Sequence, residues 1–291
     1  MMPKTLTLVR HGESESNAAK RFAEKGCPHP NEAPLMQTHT SRRRLTPRGV
    51  RQSARAGEWL RKHFESIGCL RNGSEDQSIV GFVSPYIRAM ETAGHMRLPI
   101  RWRADARLAE RNWGDMDQLT YEERVARYGE THNREHHGIF WPAGNGETLQ
   151  MVGTRIWQHF DMLNRQHSDV HVVEVSHGET MLVQRFMLER WMPEDVVKMM
   201  LATDTRFSKE VLGKAAPDNQ NKIINCRIVQ YTREREDGSW DAKYCRVRLV
   251  APSDPTNPGM NLDWQPIVRR RFLSEELLQY VEQFPRYLDG V

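Results

Sequence analysis

The sequence has few cysteines, and they follow no pattern. Four cysteines occur among 291 residues, at positions 27, 69, 226 and 245. Because no two of them form a C-x-x-C pair, we expect neither a disulfide framework nor a cysteine-based metal site. Reduced thiols are typical of proteins that work in the cytoplasm, and the sequence therefore predicts a cytoplasmic protein.

Long apolar runs and an excess of one charge are also missing. No uninterrupted apolar stretch approaches the roughly 20 residues of a membrane span. The run Thr5–Val9 is too short for the core of a signal peptide. The chain has 42 basic and 38 acidic residues, for a formal net charge of +4, which does not favour a nucleic-acid partner. We expect no membrane and no nucleic-acid partner, and a homo-oligomer remains possible.

Short β-rich runs alternate with helical stretches, and this alternation predicts an α/β fold with a mostly parallel sheet. Two of the predicted strands lie late in the chain, on either side of a turn-prone segment. The predicted strands are Thr5–Val9, Ile79–Val83, His171–Val175, Ile223–Tyr231 and Tyr244–Val250.

One predicted helix begins with Thr46 as its cap and Pro47 in its first turn. Apolar side chains are predicted on one side of it and solvated arginines on the other: Val50, Ala54, Leu60 and Phe64 against Arg48, Arg51 and Arg55. Further helices are predicted over Asp115–Tyr128 and Glu179–Glu189. Residues 20–45 and 130–147 are predicted to be long irregular loops.

The length and composition predict one domain, 1–251, followed by a C-terminal tail, 252–291. The tail consists of a Pro-rich linker and a short helix, Ser274–Phe284, capped by Ser274. Its apolar stripe predicts that the helix is docked, either on its own domain or on a partner subunit. The stripe consists of Leu277, Leu278, Val281 and Phe284.

Two histidines, each followed by glycine, occur at the ends of predicted strands. His11 follows the first strand directly after Arg10, and His177 follows the strand His171–Val175. In open α/β sheets, ligands bind beyond the carboxyl ends of the strands. We therefore expect the two imidazoles to meet at one end of the sheet. A third His-Gly pair, at His137, lies in a polar loop and is interpreted as structural.

Two further charged residues fit the same position. Arg88 comes just after the strand Ile79–Val83, and Glu110 lies next to a turn. Each alone is typical of a surface charge. With Arg10 and the two histidines they complete a set of two imidazoles, two guanidinium groups and one acid.

At this point the sequence resembles the histidine phosphatase superfamily, in the branch that contains the cofactor-dependent phosphoglycerate mutases. Six matching segments occur in the family's order: VRHGESESN (9–17), LTPRG (45–49), SPYIRAMETA (84–93), LAERNWG (108–114), NGETL (145–149) and VSHGET (175–180). The resemblance implies a three-layer α/β/α sandwich. It also implies that His11 is the phosphorylated nucleophile and Glu110 the proton donor. Around the phosphoryl group it places Arg10, Asn17, Arg88 and His177.

These residue types suit phosphoryl transfer. Neighbouring cations keep His11 neutral and nucleophilic, and arginine forks match the phosphoryl oxygens. Glu110 can protonate the leaving oxygen and then activate water. The sequence therefore predicts a metal-independent phosphatase that hydrolyses a small phosphorylated metabolite through a phosphohistidine, with no cofactor.

A phosphoglycerate mutase is the main alternative. The mutases of this family carry Tyr at the position of Trp113, Lys at that of Tyr121, and an Arg pair at His137 and Gly138. Without these carboxylate-binding groups the intermediate is held less firmly, which favours hydrolysis over transfer.

Three alternatives from other classes remain. One is a metal-dependent hydrolase that would use His132, His136 and His137. Another is a non-catalytic protein that binds a phosphorylated ligand. The third is a nucleic-acid module built on Arg42–Arg44 and Arg269–Arg271. Lys20, Arg21 and Lys25 suit a polyanionic substrate or, more simply, an exposed loop.

Overall fold

Seven strands form one sheet at the centre of the molecule. The computed structural model describes residues 1–27, 29–70, 78–129, 137–202 and 221–284. The strands are β1 (Thr5–Arg10), β2 (Ile79–Val83), β3 (Trp102–Ala104), β4 (His171–Ser176), β5 (Ile228–Thr232), β6 (Arg246–Val250) and β7 (Leu262–Pro266). Their order is β3-β2-β4-β1-β5-β6-β7. The first four in this order are parallel, and β5, β6 and β7 extend the sheet with antiparallel pairs.

Helices cover both faces of the sheet, which confirms the predicted three-layer α/β/α architecture. They are α1 (Glu15–Ala23), α2 (Glu32–Gln37), α3 (Pro47–Ser66), α4 (Ile87–Met96), α5 (Tyr121–Tyr128), α6 (Leu149–Gln166), α7 (Gly178–Glu189), α8 (Pro193–Ala202) and α9 (Ser274–Val281). Alternation along β1 separates two apolar cores. Leu6 and Leu8 belong to the core with α6 and α7, whereas Val9 belongs to the core with α3 and α4.

The strand register brings three loops to the same edge of the sheet. Arg10 at the end of β1 lies opposite Ser176 of β4, and Val83 at the end of β2 lies opposite Val175. Because the three strands are parallel, the residues that come after them leave the sheet side by side. This register explains why His11 and His177 lie close together, as the sequence predicts.

Helix α3 begins as predicted. The Thr46 side chain accepts a hydrogen bond from the Gly49 amide, and Pro47 is the first helical residue. Leu60 and Phe64 are buried as predicted, but Ala54 is exposed. The prediction for Ala54 was wrong because it lies about 120° around the helix from Leu60 at 100° per residue.

The predicted loop over 20–45 contains helical structure. It includes the end of α1, the whole of α2 and a 3₁₀ turn at Thr40–Arg42. Helix α1 begins with a reciprocal cap, in which Ser14 and Asn17 each bond the other's backbone amide. Such short helices have too few turns to show a clear apolar period, which is why the sequence pattern indicated a loop.

Two other predicted elements have different bounds. The predicted helix Asp115–Tyr128 is a 3₁₀ turn, Gly114–Gln118, followed by α5, which Thr120 caps and Gly129 ends. The predicted strand Ile223–Tyr231 begins only at Ile228. Cys226 interrupts it with a φ of +56°, because its backbone turns to donate a hydrogen bond to the Arg10 carbonyl.

The tail region contributes a strand that was not predicted. Strand β7 pairs with β6 and so extends the central sheet. The tail helix begins at Ser274 but ends at Val281, and its capping position is Leu273 rather than Ser274. No described helix is both long and apolar enough to cross a membrane. All four cysteines lie in the described part of the chain, and none forms a disulfide.

Candidate active site

The nucleophile predicted at His11 is buried and held in one tautomer. Its Nδ1 lies 2.7 Å from the Gly12 carbonyl oxygen, so Nδ1 carries the proton and donates. Its Nε2 accepts a hydrogen bond of 3.2 Å from Arg88 Nε. Burial lowers the pKa of His11 well below its usual value, and Arg88 and Arg10 lower it further. The side chain is therefore a neutral imidazole whose lone pair is on Nε2.

Two glycines allow the nucleophile loop to pack this closely. A Cβ on Gly12 would lie 2.5 Å from the Gly49 carbonyl oxygen, and one on Gly49 would lie 2.2 Å from the Glu13 carbonyl oxygen. Any larger residue at either position would push the loop after β1 away from the start of α3.

His177 lies beside His11, as the sequence predicted. Their ring centroids are 5.1 Å apart. His177 Nε2 lies 2.7 Å from the Ser84 hydroxyl oxygen, whereas Nδ1 is buried without a hydrogen-bond partner among the described residues. Burial lowers the pKa of His177 well below its usual value, with Arg88 as the next cause. A buried ring nitrogen next to the nucleophile is available to a ligand oxygen.

Two arginines flank the nucleophile. Arg88 is 5% exposed, and its NH1 group donates to the Thr40 carbonyl at 2.6 Å. Burial lowers its pKa to about 10, so it stays charged at neutral pH. Arg10 donates to the Ile223 carbonyl at 2.6 Å, and its Nε is buried without a partner among the described residues. An unsatisfied buried donor of this kind is suited to an anionic ligand.

Hydrogen bonds to the side-chain oxygen of Asn17 fix the orientation of its amide group. Asn17 Oδ1 accepts hydrogen bonds from the Ser14 amide, the Ser14 hydroxyl and the Asn225 side-chain amide, at 3.2, 3.1 and 3.0 Å. These bonds leave the NH2 group of Asn17 as the part that a phosphoryl oxygen can use. Asn225 also donates to the His11 carbonyl at 3.1 Å and thereby joins the two loops.

Glu110 has the properties of an acid. Burial raises its pKa, and the neighbouring Glu179 raises it further, while Arg88 acts in the opposite direction. The Arg111 amide donates to Glu110 Oε1 at 3.0 Å. A carboxyl group with a raised pKa is protonated to a larger extent near neutral pH, as a general acid requires.

These residues share one cavity of about 180 Å³. The cavity brings together five of the six predicted site residues: Arg10, His11, Asn17, Arg88 and Glu110. The sixth, His177, is fully buried next to His11. The structure therefore brings the residues predicted from the sequence together in one place, and their roles stay a prediction.

The same cavity is lined by five further charged residues: Lys20, Glu32, Arg43, Asp117 and Arg124. Lys20 and Arg43 belong to the basic loop residues that suit a polyanionic substrate, whereas Glu32, Asp117 and Arg124 were not assigned from the sequence. Arg43 is 4% exposed, and it donates to neutral acceptors, including Ser16 Oγ at 3.2 Å and the Asp117 carbonyl at 2.7 Å. Arg124 donates to the Met116 carbonyl at 3.0 Å and lies over the Trp113 ring, 5.3 Å from its centroid. Burial raises the pKa values of Glu32 and Asp117.

Several contact residues were not predicted from the sequence, for different reasons. Ser84 stands directly at the end of β2, so its position at a strand end was a usable signal. Asn225 lay inside a segment predicted as strand, and Arg124 has the spacing of an ordinary surface helix residue. Arg42 and Arg44 are exposed beside the buried Arg43, and nothing in the sequence indicates which of the three arginines enters the pocket.

Among the described residues, no group of three or more His, Cys, Asp and Glu side chains is arranged to hold a metal ion. The alternative metal site falls partly on His132 and His136, which lie outside the described residues. The third histidine, His137, precedes the 3₁₀ turn Gly138–Phe140.

Known proteins resemble this chain both in sequence and in fold. The family model of the histidine phosphatase superfamily (branch 1) matches residues 6–208. The 2,3-bisphosphoglycerate-dependent phosphoglycerate mutase of Azorhizobium caulinodans is 29% identical over 233 residues, covering 77% of this chain and 100% of the relative. The enzyme of the same name from Rhizobium meliloti is 27% identical over 233 residues, covering 73% of this chain and 97% of the relative.

Solved structures with a similar fold include phosphatases. A mycobacterial glucosyl-3-phosphoglycerate phosphatase with inorganic phosphate has a TM-score of 0.56 and 17% identity, covering 86% of this chain and 99% of that chain. A phosphoserine phosphatase from Entamoeba histolytica with 3-phosphoglyceric acid has a TM-score of 0.52 and 17% identity, covering 82% and 95%. At these identities the likeness establishes the fold.

Proposed function

Since the chain belongs to branch 1 of the histidine phosphatase superfamily, we propose that it hydrolyses a small phosphomonoester through a phosphohistidine on His11. The observation that carries the proposal is the protonation pattern of the pocket. A neutral imidazole with its lone pair on Nε2 and a carboxyl group with a raised pKa line the same cavity. A protein that only binds phosphate has no need of this pair.

In the first step, the lone pair of His11 Nε2 forms a bond to phosphorus while the bond from phosphorus to the ester oxygen breaks. Glu110 gives its proton to that oxygen, and the alcohol leaves. Arg88 donates to Nε2 before substrate binds, so its hydrogen bond moves to a phosphoryl oxygen when the ester arrives. Arg10 and Asn17 supply further donors to the phosphoryl group.

In the second step, ionised Glu110 accepts a proton from a water molecule, whose oxygen attacks phosphorus. The bond between phosphorus and Nε2 breaks, its electron pair returns to the ring, and inorganic phosphate is released. Fixed guanidinium groups stabilise the phosphoryl charge in both steps, so the proposed reaction uses no metal ion and no cofactor.

The further charged residues of the cavity support a narrower substrate class. Arg43 and Arg124 donate hydrogen bonds to neutral acceptors there, and the Asp117 carboxyl group lies near both of them. Two guanidinium groups beside one carboxyl group leave a net positive charge for a second anionic group on the leaving alcohol. This differs from the expectation from sequence, in which the carboxylate-binding cations of the mutases were missing. The proposed substrate is a phosphomonoester with a carboxylate or second anion on its leaving group.

Phosphoryl transfer between two positions of one substrate is the second candidate, because the curated relatives are named as phosphoglycerate mutases. We favour hydrolysis because Trp113 lines the cavity at the position where the resemblance implies Tyr in a mutase. An indole ring lacks the phenolic hydroxyl, so an intermediate that would bond to that hydroxyl is held less firmly.

A substrate panel tests the proposal. Phosphorylated metabolites with and without a carboxylate are incubated with enzyme, and released phosphate is measured with and without a chelator. Brief reaction followed by a basic quench should trap an acid-labile phosphoprotein in the wild type and none in His11→Ala. A phosphoprotein formed equally by His11→Ala would overturn the assignment.

One further assay separates the two candidates. With 3-phosphoglycerate and 2,3-bisphosphoglycerate present, a phosphatase makes little 2-phosphoglycerate and releases phosphate faster from its preferred substrate. Formation of 2-phosphoglycerate that is faster than phosphate release from every compound in the panel would identify a mutase.

A further inference from the structure

Helix α9 presents its apolar side to solvent. Leu277, Leu278, Val281 and Phe284 are 48%, 64%, 50% and 46% exposed. The helix is held by two polar contacts: the Tyr280 hydroxyl donates to the Glu194 carboxylate, and Arg270, just before the helix, lies 3.1 Å from the Asp195 carboxylate. The predicted docking of the helix is therefore not achieved on the described part of its own chain.

A groove in the same chain is apolar and open. It encloses about 460 Å³ between α6, α7 and α8. Its lining is mostly apolar: Ile139, Leu149, Val183, Phe186, Met187 and Val196. Trp157 at its edge is 67% exposed and also borders a neighbouring cavity. Contiguous exposed apolar surface of this kind marks an interaction site.

We propose that the protein forms a two-fold homodimer in which α9 of each copy lies in the apolar groove between α6, α7 and α8 of the other. The helix and the groove are neighbours on the surface, because α8 both anchors α9 through Glu194 and lines the groove through Val196. In a two-fold dimer the same patch meets itself, so one contact surface buries two helices and two grooves at once.

Charge favours the same pairing. The helical segment 274–284 contains three glutamates and no lysine or arginine. The cavity next to the groove, which shares Trp157 with it, is lined by Arg190, Lys243 and Arg269 against a single acid, Asp161. Opposite charges on the two surfaces steer the helix towards this groove and fix its orientation.

Helix α9 lies beside its own groove and not in it, since none of its residues lines that groove. The two polar contacts described above join it to α8, and its apolar stripe is exposed. Turning the stripe inward would break the contact of Tyr280 with Glu194 and that of Arg270 with Asp195. A second copy buries the stripe with both contacts intact.

The oligomeric state of the full chain, measured by sedimentation over a range of concentrations, tests the proposal. Leu277→Asp and Trp157→Asp should each raise the dimer dissociation constant at least tenfold. Gln279→Asp is the matched control, because it adds the same charge about 200° around the helix from Leu277. A wild type that stays monomeric throughout, or equal effects of Gln279→Asp and Leu277→Asp, would overturn the proposal.

Cross-linking identifies the occupant of the groove. Trp157→Cys and Leu277→Cys chains of different mass are mixed and oxidised, with the wild type oxidised in parallel. The expected product is a disulfide between the two different chains. If a chain that carries both substitutions instead closes a disulfide within one monomer, the groove belongs to the chain's own helix and the proposal fails.

Discussion

At the scale of single residues, burial has opposite effects on the pKa values of Glu110 and His11, the proposed acid and nucleophile. Burial lowers the pKa of His11 and raises that of Glu110, because burial disfavours the charged form of either group. The imidazole thus stays neutral to a lower pH than an exposed histidine, and the carboxyl group keeps its proton to a higher pH than an exposed glutamate. Burial therefore favours, in both groups, the protonation state that the proposed first step requires.

Glu110→Gln should affect alkyl phosphates more than aryl phosphates. An alkoxide needs the proton of Glu110 to leave, whereas an acidic phenol leaves without it, so we expect losses of about 10²–10⁴-fold only with alkyl esters. Pre-steady-state phosphorylation rates give the measurement. The wild-type rate with alkyl esters should also fall as the pH rises through the raised pKa of Glu110, and this fall should vanish in the variant. Equal losses with both esters would remove the general-acid role.

Arg124→Ala tests the second anion site of the pocket. Loss of a charged hydrogen bond to a second anion should raise KM by roughly tenfold or more for 3-phosphoglycerate. Glycerol 3-phosphate, which lacks the carboxylate, should show little change. Arg127→Ala is the matched control, since Arg127 is an exposed arginine on the same helix. The same change of KM with both substrates would contradict a second anion site.

At the scale of elements, a buried charged triad of His159, Asp105 and Glu174 joins helix α6 to strand β4. His159 of α6 lies 2.9 Å from the Asp105 carboxylate and 2.7 Å from the Glu174 carboxylate of β4. Gln184 of α7 donates to the other oxygen of Glu174 at 2.6 Å. Both ring nitrogens donate to carboxylates, so the ring is an imidazolium. The triad fixes α6 and α7 against the strand that carries His177.

The triad makes stability depend on alkaline pH. Burial opposes the charge of His159, but Glu174 and Asp105 outweigh it and raise the pKa to about 9. A raised folded-state pKa stabilises fully below the unfolded value of about 6.5, and the stabilisation is lost as the pH rises through about 9. The stabilisation is on the order of 3 kcal/mol. Urea unfolding from pH 6 to pH 10 gives the free energy of unfolding.

His159→Gln should lose about 3–5 kcal/mol at pH 7, because the buried Glu174 carboxylate remains without its cation and Asp105 keeps only Arg107. Between pH 7 and pH 10, the free energy of unfolding of His159→Gln should decline less than that of the wild type. His95→Gln, on the partly exposed side of α4, is the control and should follow the wild type. Parallel pH curves for the wild type and His159→Gln would rule out the triad as the cause.

The elements also show how much could be predicted from the sequence. Strands β1, β2 and β4 are short and rich in β-branched and apolar residues, and the meeting of the histidines that follow β1 and β4 was predictable from their positions after the strands. Asn225 and Asn17 are 208 residues apart and meet through a hydrogen bond, and no local pattern records such a contact. Strand β7 has the sequence LDWQP, with two apolar residues and a proline, which is typical of an edge strand and not of a core strand.

At the scale of the whole molecule, the end of the chain has two separate roles. Strand β7 covers the edge of β6, and Leu262 and Ile267 pack against the larger core. Helix α9 buries none of its residues. The sequence places both residue ranges in one tail after residue 251, and only the helix shows an apolar stripe there. In the structure, however, it is the strand that packs against the core.

Two truncations separate these roles. A chain that ends at Arg271 should keep its phosphatase rate and, at concentrations where the wild type is monomeric, its melting temperature, because within one copy it loses only α9 and the residues that flank it. A chain that ends at Ala251 should melt roughly 10 °C lower or more, since β6 becomes an exposed edge and the core loses apolar cover. Thermal unfolding and phosphate release measure both. Equal melting temperatures would show that β7 contributes nothing to the fold.

In the absence of a ligand, Arg88 donates a hydrogen bond to Nε2 of His11, the atom that carries the lone pair of the proposed nucleophile. The guanidinium leaves the lone pair only for a ligand that it binds more strongly, and a phosphomonoester dianion satisfies that condition. A neutral electrophile has no charge with which to displace Arg88, and a phosphodiester has half as much as a monoester dianion. We therefore expect Arg88 to select ligands by their charge, so that alkylating agents and diesters react with His11 more slowly than a monoester dianion does.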